Sequence, residues 1–128
     1  MLLKFGIRNT DKCTFCKSEI ETIEHIFVDS PFSDTFWNEL EMYISQKLCR
    51  RVKYSIQDKL FGSLQEDKTI NHILTLARKH IYYSKLNELK PNTDDFLYYL
   101  RNIIKLEKYS AQLSQSPHRY TEKWKHFM

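Results

Sequence analysis

The stretch CTFCKSEIETIEHIFVDS, residues 13–30, carries the pattern around which the rest of the chain is organised. It has the spacing C-x2-C-x8-H-x4-S, with cysteines at 13 and 16, a histidine at 25 and a serine at 30. Two thiols on the arms of a tight turn and an imidazole returned by the loop can each reach one tetrahedral ion, at about 2.0–2.3 Å. The spacing is typical of a zinc knuckle that lacks its fourth ligand.

Position 30 has two explanations that the sequence leaves open. Ser30 is a good helix N-cap, and Pro31 stands at the first helical position, so the serine can be explained without any metal. In the other explanation the two thiols and the imidazole still bind an ion, and Ser30 or Asp29 occupies the fourth position. A hydroxyl is a poor zinc ligand, so this explanation predicts weak binding.

The composition is that of one modest domain. The chain has 128 residues, 41% of them hydrophobic, with only 2 glycines and 3 prolines, which favours helices over a turn-rich β fold. Three cysteines cannot form a full disulfide framework, and residues 1–4 are too short for a signal peptide. We therefore expect an intracellular protein, nuclear or cytoplasmic, that does not associate with membranes. Leu2, Leu3 and Phe5 resemble the end of an amphipathic element, so we also expect a fragment of something larger.

Helical periodicity fills most of the chain beyond the cysteine pattern. We expect a first helix over 31–49, a second over 68–89 capped by Asp67, and a third beginning after a Thr93 cap. A last short helix is expected after Pro117. The residues predicted to face inward are Phe32, Phe36, Trp37, Leu40, Tyr43, Ile44 and Leu48, then Ile70, Ile73, Leu74, Ala77, Ile81 and Tyr82, then Phe96, Leu97, Leu100, Ile103, Ile104 and Leu106, and finally Tyr120, Trp124 and Phe127.

Two segments are predicted to be less regular. Within the cysteine–histidine loop, the apolar residues are expected to form a floor: Ile20, Ile23, Ile26 and Phe27. The acidic residues of the same loop are expected to face water: Glu19, Glu21 and Glu24. Between the first two helices, an alternating pattern predicts a short strand or an extended connector, through Val52, Tyr54 and Ile56. Three further apolar residues around Gly62 are expected to pack on the core: Leu60, Phe61 and Leu64.

Residues 8–40 resemble the zinc-binding region that follows the polymerase in non-LTR (LINE-type) retrotransposon reverse transcriptases. The specific part is the run ETIEHIF at 21–27 followed by FW at 36–37, and the segments 80–90 and 96–109 are more loosely similar to the C-terminal tail of such polyproteins. The resemblance implies that the zinc ligands are Cys13, Cys16 and His25. It places Ser30 where the family normally has a cysteine. It also implies a non-catalytic appendage that holds template RNA or target DNA near an upstream polymerase domain.

Positive charge is concentrated in the C-terminal half of the chain. Residues 68–128 carry 11 basic and 5 acidic groups, a net of +6, whereas 1–30 and 31–67 each have a net charge of −1. Such a field can attract phosphates, although a solvated helical surface has a similar composition. Phe15 is the aromatic residue expected to project from the knuckle and stack on a base. The basic residues predicted to contact nucleic acid are Lys47, Arg50, Arg51, Lys53, Arg78, Lys79 and Lys85.

Together these patterns predict a mostly α protein with a small N-terminal zinc-knuckle-like turn packed on a three- to four-helix bundle. Residues 1–30 form the lead-in and the degenerate zinc knuckle, and 31–128 form the helical bundle. The first functional hypothesis is a non-catalytic domain that binds RNA or single-stranded DNA, with Zn²⁺ as cofactor. The alternative is a helical protein-interaction or structural module whose knuckle no longer binds metal. The sequence contains no acid–base pair, nucleophile motif or phosphate-binding loop to suggest an enzyme.

Overall fold

A computed structural model describes residues 12–18, 20–113 and 122–127 of the chain. The cysteine loop leads into a π-helix over His25–Asp29, and four α-helices follow. They are α1 over Pro31–Leu48, α2 over Ile56–Phe61, α3 over Lys68–Leu86 and α4 over Thr93–Leu113. The predicted mostly α fold is therefore confirmed. Residues 1–11 of the predicted lead-in over 1–12, together with Glu19 and Tyr120, lie outside the described residues.

Helix α1 begins and ends where its sequence predicts. Pro31 occupies its first turn, and its C-cap residue, Cys49, adopts a left-handed conformation with φ 55°. The apolar residues at three- and four-residue steps face inward, and Phe36, Trp37, Leu40 and Ile44 are fully buried. Helix α1 also holds the π-helix that follows the cysteine loop, because Trp37 Nε1 donates a hydrogen bond to the Phe27 carbonyl at 2.7 Å.

The connector between α1 and α2 is extended, which agrees with one of the two predicted alternatives, a short strand or an extended connector. Within the described residues it forms no strand, and Tyr54 is held by a hydrogen bond from its N–H to Glu41 Oε2 at 2.6 Å. Helix α2 then starts on a capping box in which Ser55 and Asp58 cap each other's backbone N–H groups. The prediction that Leu60, Phe61 and Leu64 pack on the core is wrong for two of the three, because Phe61 is 80% exposed and Leu64 is fully exposed. So short a helix buries only one face, and the Phe61 side chain lies on another.

Helix α3 is capped by Asp67, whose Oδ1 accepts a hydrogen bond from the Ile70 N–H at 2.9 Å. It ends at Leu86, three residues before the predicted position, because Glu88 turns into a left-handed conformation with φ 55°. Its predicted inner face is buried except for Tyr82, which is 44% exposed. Tyr82 was therefore wrongly predicted as a core residue.

Helix α4 starts on a different cap from the predicted one. Asn92 Oδ1 accepts from the Asp95 N–H at 3.0 Å, whereas Thr93 is already helical and its hydroxyl donates to Glu39 Oε1 at 2.8 Å. Phe96, Leu100 and Ile104 are buried, but Leu106 is 63% exposed, contrary to prediction. Helix α4 therefore contributes a narrower buried stripe than its apolar content suggests.

The core lies between α1, α3 and α4 and is closed by residues 122–127, the C-terminal segment. Phe36 packs edge-on against Phe96 and stacks on His80, which joins the three helices. Burial lowers the pKa of His80, and its Nε2 accepts the Asn92 N–H at 3.2 Å, a bond that only the neutral ring can accept. Trp124 and Phe127 are buried against this core, as predicted. Among the described helices, none is both long and apolar enough to cross a membrane.

Candidate metal centre

The loop that holds the two cysteines is a tight turn. The Lys17 N–H donates to the Cys13 carbonyl at 2.9 Å, and Lys17 itself has a φ of 59°. An antiparallel bridge between Lys12 and Ile20 closes the loop at its base. Cys13 and Cys16 therefore stand on the two arms of one turn, as their spacing predicts.

The third donor, His25, begins the π-helix. Thr22 caps this segment, because its hydroxyl accepts the His25 N–H at 3.0 Å and its carbonyl accepts the Ile26 N–H at 2.9 Å. Short π-helical turns are rare and occur frequently at functional sites. Here the wider turn is fixed from outside by α1, since Ser33 Oγ donates to the Ile26 carbonyl. The sequence pattern did not predict this geometry.

The three donors converge on one point. The ligand atoms of Cys13, Cys16 and His25 all lie within 4.8 Å of one another, and Cys16 Sγ is 3.4 Å from His25 Nε2. In a tetrahedral zinc site, bonds of about 2.3 Å to sulfur and 2.05 Å to nitrogen separate those two atoms by roughly 3.6 Å. The observed distance between the sulfur and the nitrogen agrees with that value within a few tenths of an ångström. The group could therefore hold a metal ion, and its donor set suits zinc.

The two candidates for the fourth ligand position, Asp29 and Ser30, differ in how far they are buried. Asp29 is exposed and is not part of the cluster of metal-ligating groups found among the described residues. Ser30 is fully buried, and its N–H donates to the His25 carbonyl at 2.7 Å. It occupies the N-cap position of α1, but its hydroxyl makes no capping bond and has no hydrogen-bond partner in the described part of the chain. Capping therefore fails to explain the side chain at position 30.

A buried carboxylate, missed in the sequence, braces the loop. Glu21 Oε1 accepts from both the N–H and the hydroxyl of Thr14, at 2.9 and 2.8 Å, and so fixes the peptide between the two cysteines. Glu21 Oε2 lies 3.6 Å from Lys85 Nζ on α3, and both side chains are at least 96% buried. The prediction that Glu21 faces water is wrong, because it forms this ion pair inside the protein. Nothing in its local spacing distinguishes it from the exposed Glu24.

Two residues predicted to touch nucleic acid are inside the protein. Lys85 is only 4% exposed and pairs with Glu21, so its charge is directed to the loop rather than to solvent. Phe15 is 3% exposed, because the turn packs its ring into the main core instead of projecting it. The prediction that the apolar residues of the loop form a floor beneath it is also partly wrong, since Ile20 and Ile23 are exposed while Ile26 is buried.

The remaining predicted cations lie in two places. Lys47, Arg51 and Lys53 are exposed near the C-terminal end of α1, and neighbouring Arg50 forms an ion pair with Glu66 at 2.9 Å. Lys79 is exposed on α3. These residues are accessible to a ligand, although Arg50 has a carboxylate partner already.

Arg78 borders an apolar groove beside the metal centre. Its guanidinium donates to the Lys59 carbonyl at 3.2 Å and to the Thr75 hydroxyl at 2.9 Å, and its partial burial lowers its pKa. The adjacent groove has a volume of about 390 Å³. It lies between the π-helix, α2 and α3 and is lined mainly by Ile23, Phe27, Leu60, Phe61 and Tyr82.

Comparisons with known proteins bear on the N-terminal segment. No curated protein and no solved structure matches the chain significantly. Residues 1–37 match a family model described as zinc-binding in reverse transcriptase. The matched segment contains the two cysteines, the histidine and Ser30. The resemblance found in the sequence is thereby confirmed for this segment, which matches the zinc-binding region of reverse transcriptases.

Proposed function

We propose that the chain is a non-catalytic, nucleic-acid-binding domain of a LINE-type reverse transcriptase, and that it binds Zn²⁺ through Cys13, Cys16 and His25. The single observation that carries the proposal is the convergence of these donors within 4.8 Å, in the segment that matches the reverse-transcriptase family model. An intracellular site of action and an upstream polymerase domain are part of the same proposal.

The bound ion would act as a cross-link rather than as a catalyst. It would tie the cysteine turn to the π-helix, which α1 holds through Trp37 and Ser33. The chain's own residues then orient the loop: Glu21 fixes the peptide of Thr14 between the cysteines. Such outer contacts are what keep ligands aligned in metal sites generally.

The expected ligand is RNA or single-stranded DNA. Residues 68–128 carry a net charge of +6, and basic groups release counterions when they neutralise phosphates. Most of the predicted cations remain exposed, including Lys47, Arg51, Lys53 and Lys79. The proposed task is to hold template or target strands close to the polymerase.

Two measurements test the proposal together. Elemental analysis of the purified protein should find about one zinc per chain, and a Cys13→Ser/Cys16→Ser variant should lose it. Fluorescence anisotropy with labelled single-stranded RNA and DNA should give an affinity that falls steeply between about 50 and 200 mM salt. Absence of both zinc and salt-dependent binding would contradict the proposal.

The apolar groove favours a second candidate function, a protein-interaction module. Its lining residue Phe61 is 80% exposed, and a partner segment could bury it. In that case the wild type would show flat, negligible nucleic-acid binding across the salt series. A Phe61→Ser variant would instead lose binding to the adjoining polymerase, which can be measured by titration calorimetry.

A further inference from the structure

Helix α4 presents to solvent a face of aromatic and basic side chains. Tyr98 and Tyr109 are 66% and 63% exposed, and Arg101, Lys105 and Lys108 are also exposed. At 100° per residue, Tyr98, Lys105 and Tyr109 fall within about 40° of one another around the helix axis. Arg101 and Lys108 lie along one side of this row, within about 80° of Tyr98. We define these five residues as the α4 face.

The α4 face is opposite the buried side of the helix. Phe96 and Leu100, which are fully buried, point to the core from the far side of the axis. Glu107 is on that side too, where it accepts hydrogen bonds from Lys123 Nζ and Trp124 Nε1 at 2.9 and 2.8 Å. The C-terminal segment therefore covers the inner side of α4 and leaves its outer side open.

The charge of this face has one sign. From residue 98 to residue 113, α4 contains three cations and a single carboxylate, Glu107, which points inward. The acidic pair Asp94 and Asp95 is confined to the first turn, where it favours the helix dipole. Over roughly 16 Å of helix, the α4 face between Tyr98 and Tyr109 is thus positive and aromatic, and the exposed Leu106 borders it on the side away from Arg101 and Lys108.

We propose that the α4 face binds a single strand of nucleic acid, with phosphates on Arg101, Lys105 and Lys108 and bases stacked on Tyr98 and Tyr109. The inference rests on the proposed function and gives it a location. Cations that track a backbone beside aromatic rings that accept any base are the features of sites for single strands. A partner helix is the competing occupant, but a polyanion fits three cations without a carboxylate better than an apolar helix does.

The role of the three cations is tested by the salt dependence of the binding constant. For single strands the slope of log K against log salt is about −0.7 per neutralised phosphate, so Arg101→Gln/Lys105→Gln/Lys108→Gln should make the slope shallower by about 2. The matched control removes three exposed cations to which no binding role is assigned, in Lys68→Gln/Lys90→Gln/Lys125→Gln. It should keep a slope within about half a unit of the wild type.

The tyrosines are tested without changing charge. Tyr98→Ala and Tyr109→Ala should each weaken binding about tenfold, because one stacked base is lost, while the salt slope stays the same. Tyr83→Ala is the control, since Tyr83 is 53% exposed but lies on α3. Circular dichroism should show that each surface variant keeps the helix content of the wild type.

The outcomes separate this inference from the function on which it rests. If the wild type binds and the α4 variants bind equally well with an unchanged slope, the α4 assignment is overturned while nucleic-acid binding stands. If a Lys47→Gln/Arg51→Gln/Lys53→Gln variant, which removes cations predicted from the sequence to contact nucleic acid, loses the affinity instead, the site lies at the end of α1 and the assignment is again overturned. If the wild type binds neither RNA nor DNA, both fail together.

Discussion

A single serine decides how tightly the metal centre can bind. Ser30 is fully buried, and among the described residues its hydroxyl has no hydrogen-bond partner. Leaving a buried hydroxyl unpaired costs about 1–3 kcal/mol, so the side chain does not contribute to stability as a cap. It stands where the spacing requires the fourth ligand, and its N–H bond to the His25 carbonyl keeps its backbone beside that histidine. A serine hydroxyl seldom ligates zinc, so three strong donors remain.

The Ser30→Cys variant should therefore bind Zn²⁺ at least tenfold more tightly than the wild type. The thiolate supplies a fourth strong donor, and the substitution removes the unpaired hydroxyl at the same time. A competition titration against a chelating dye measures both affinities. Asp29→Asn is the matched control, because Asp29 is exposed and outside the cluster, and its affinity should stay within about twofold of the wild type. Equal affinities for Ser30→Cys and wild type would refute the assignment of position 30.

At the scale of elements, regular helices were predictable and their ends less so. The stripe of Phe36, Trp37 and Leu40 in α1 is set by local periodicity, so the sequence predicts it correctly. Helix α3 ends several residues before Pro91 because Glu88 adopts a left-handed conformation. No local sequence pattern predicts that conformation. The exposed Phe61 and Tyr82 show the same limit, since an apolar side chain is buried only if a neighbouring element covers it.

The cysteine loop and its histidine illustrate which part of a metal site can be predicted from the sequence. The two cysteines and the histidine were identified because their chemistry depends on short-range spacing. Glu21, Lys85 and Phe15 were misassigned because their environment depends on α3 and the core, which lie far away in sequence. A charged residue without a visible partner in the sequence is most often exposed, so only the packed structure reveals the pair.

The contact between the loop and α3 should be required for stability. Glu21→Gln keeps an acceptor for Thr14 but removes the negative charge near Lys85, so we expect a loss of about 1–3 kcal/mol in the free energy of unfolding. Zinc affinity should also fall by roughly tenfold, since the peptide between the cysteines is held less firmly. Urea denaturation with and without a chelator separates these two effects.

The control for this substitution is Glu24→Gln. Glu24 is exposed and three residues away, so its loss of charge should change stability by less than about 0.5 kcal/mol. If both variants are equally stable, the ion pair with Lys85 makes no net contribution, as can happen when the cost of burial cancels the attraction.

At the scale of the whole molecule, the metal loop and the helical core are one packed unit. Cys13 and Phe15 belong to the same buried cluster as Trp37, Ile73 and Leu100. The cysteine loop is therefore a part of the core that α1 and α3 complete. We expect the folding of the loop to be coupled to the folding of these helices. Coupling of this kind means that an ion bound by the loop stabilises the helices as well.

Removal of the metal should thus lower the melting temperature of the entire protein. With free zinc at about 100 times the dissociation constant, binding adds roughly 2.7 kcal/mol, which corresponds to about 10 °C for a domain of this size. Thermal melts followed at 222 nm, with and without EDTA, measure the shift in helix unfolding. In a Trp37→Phe variant, fluorescence of Trp124, which lies in the C-terminal segment, should change at the same temperature as the helices. The Cys13→Ser/Cys16→Ser variant should not respond to EDTA. Two separate transitions, with only the loop affected by the chelator, would show that the metal centre and the bundle are independent.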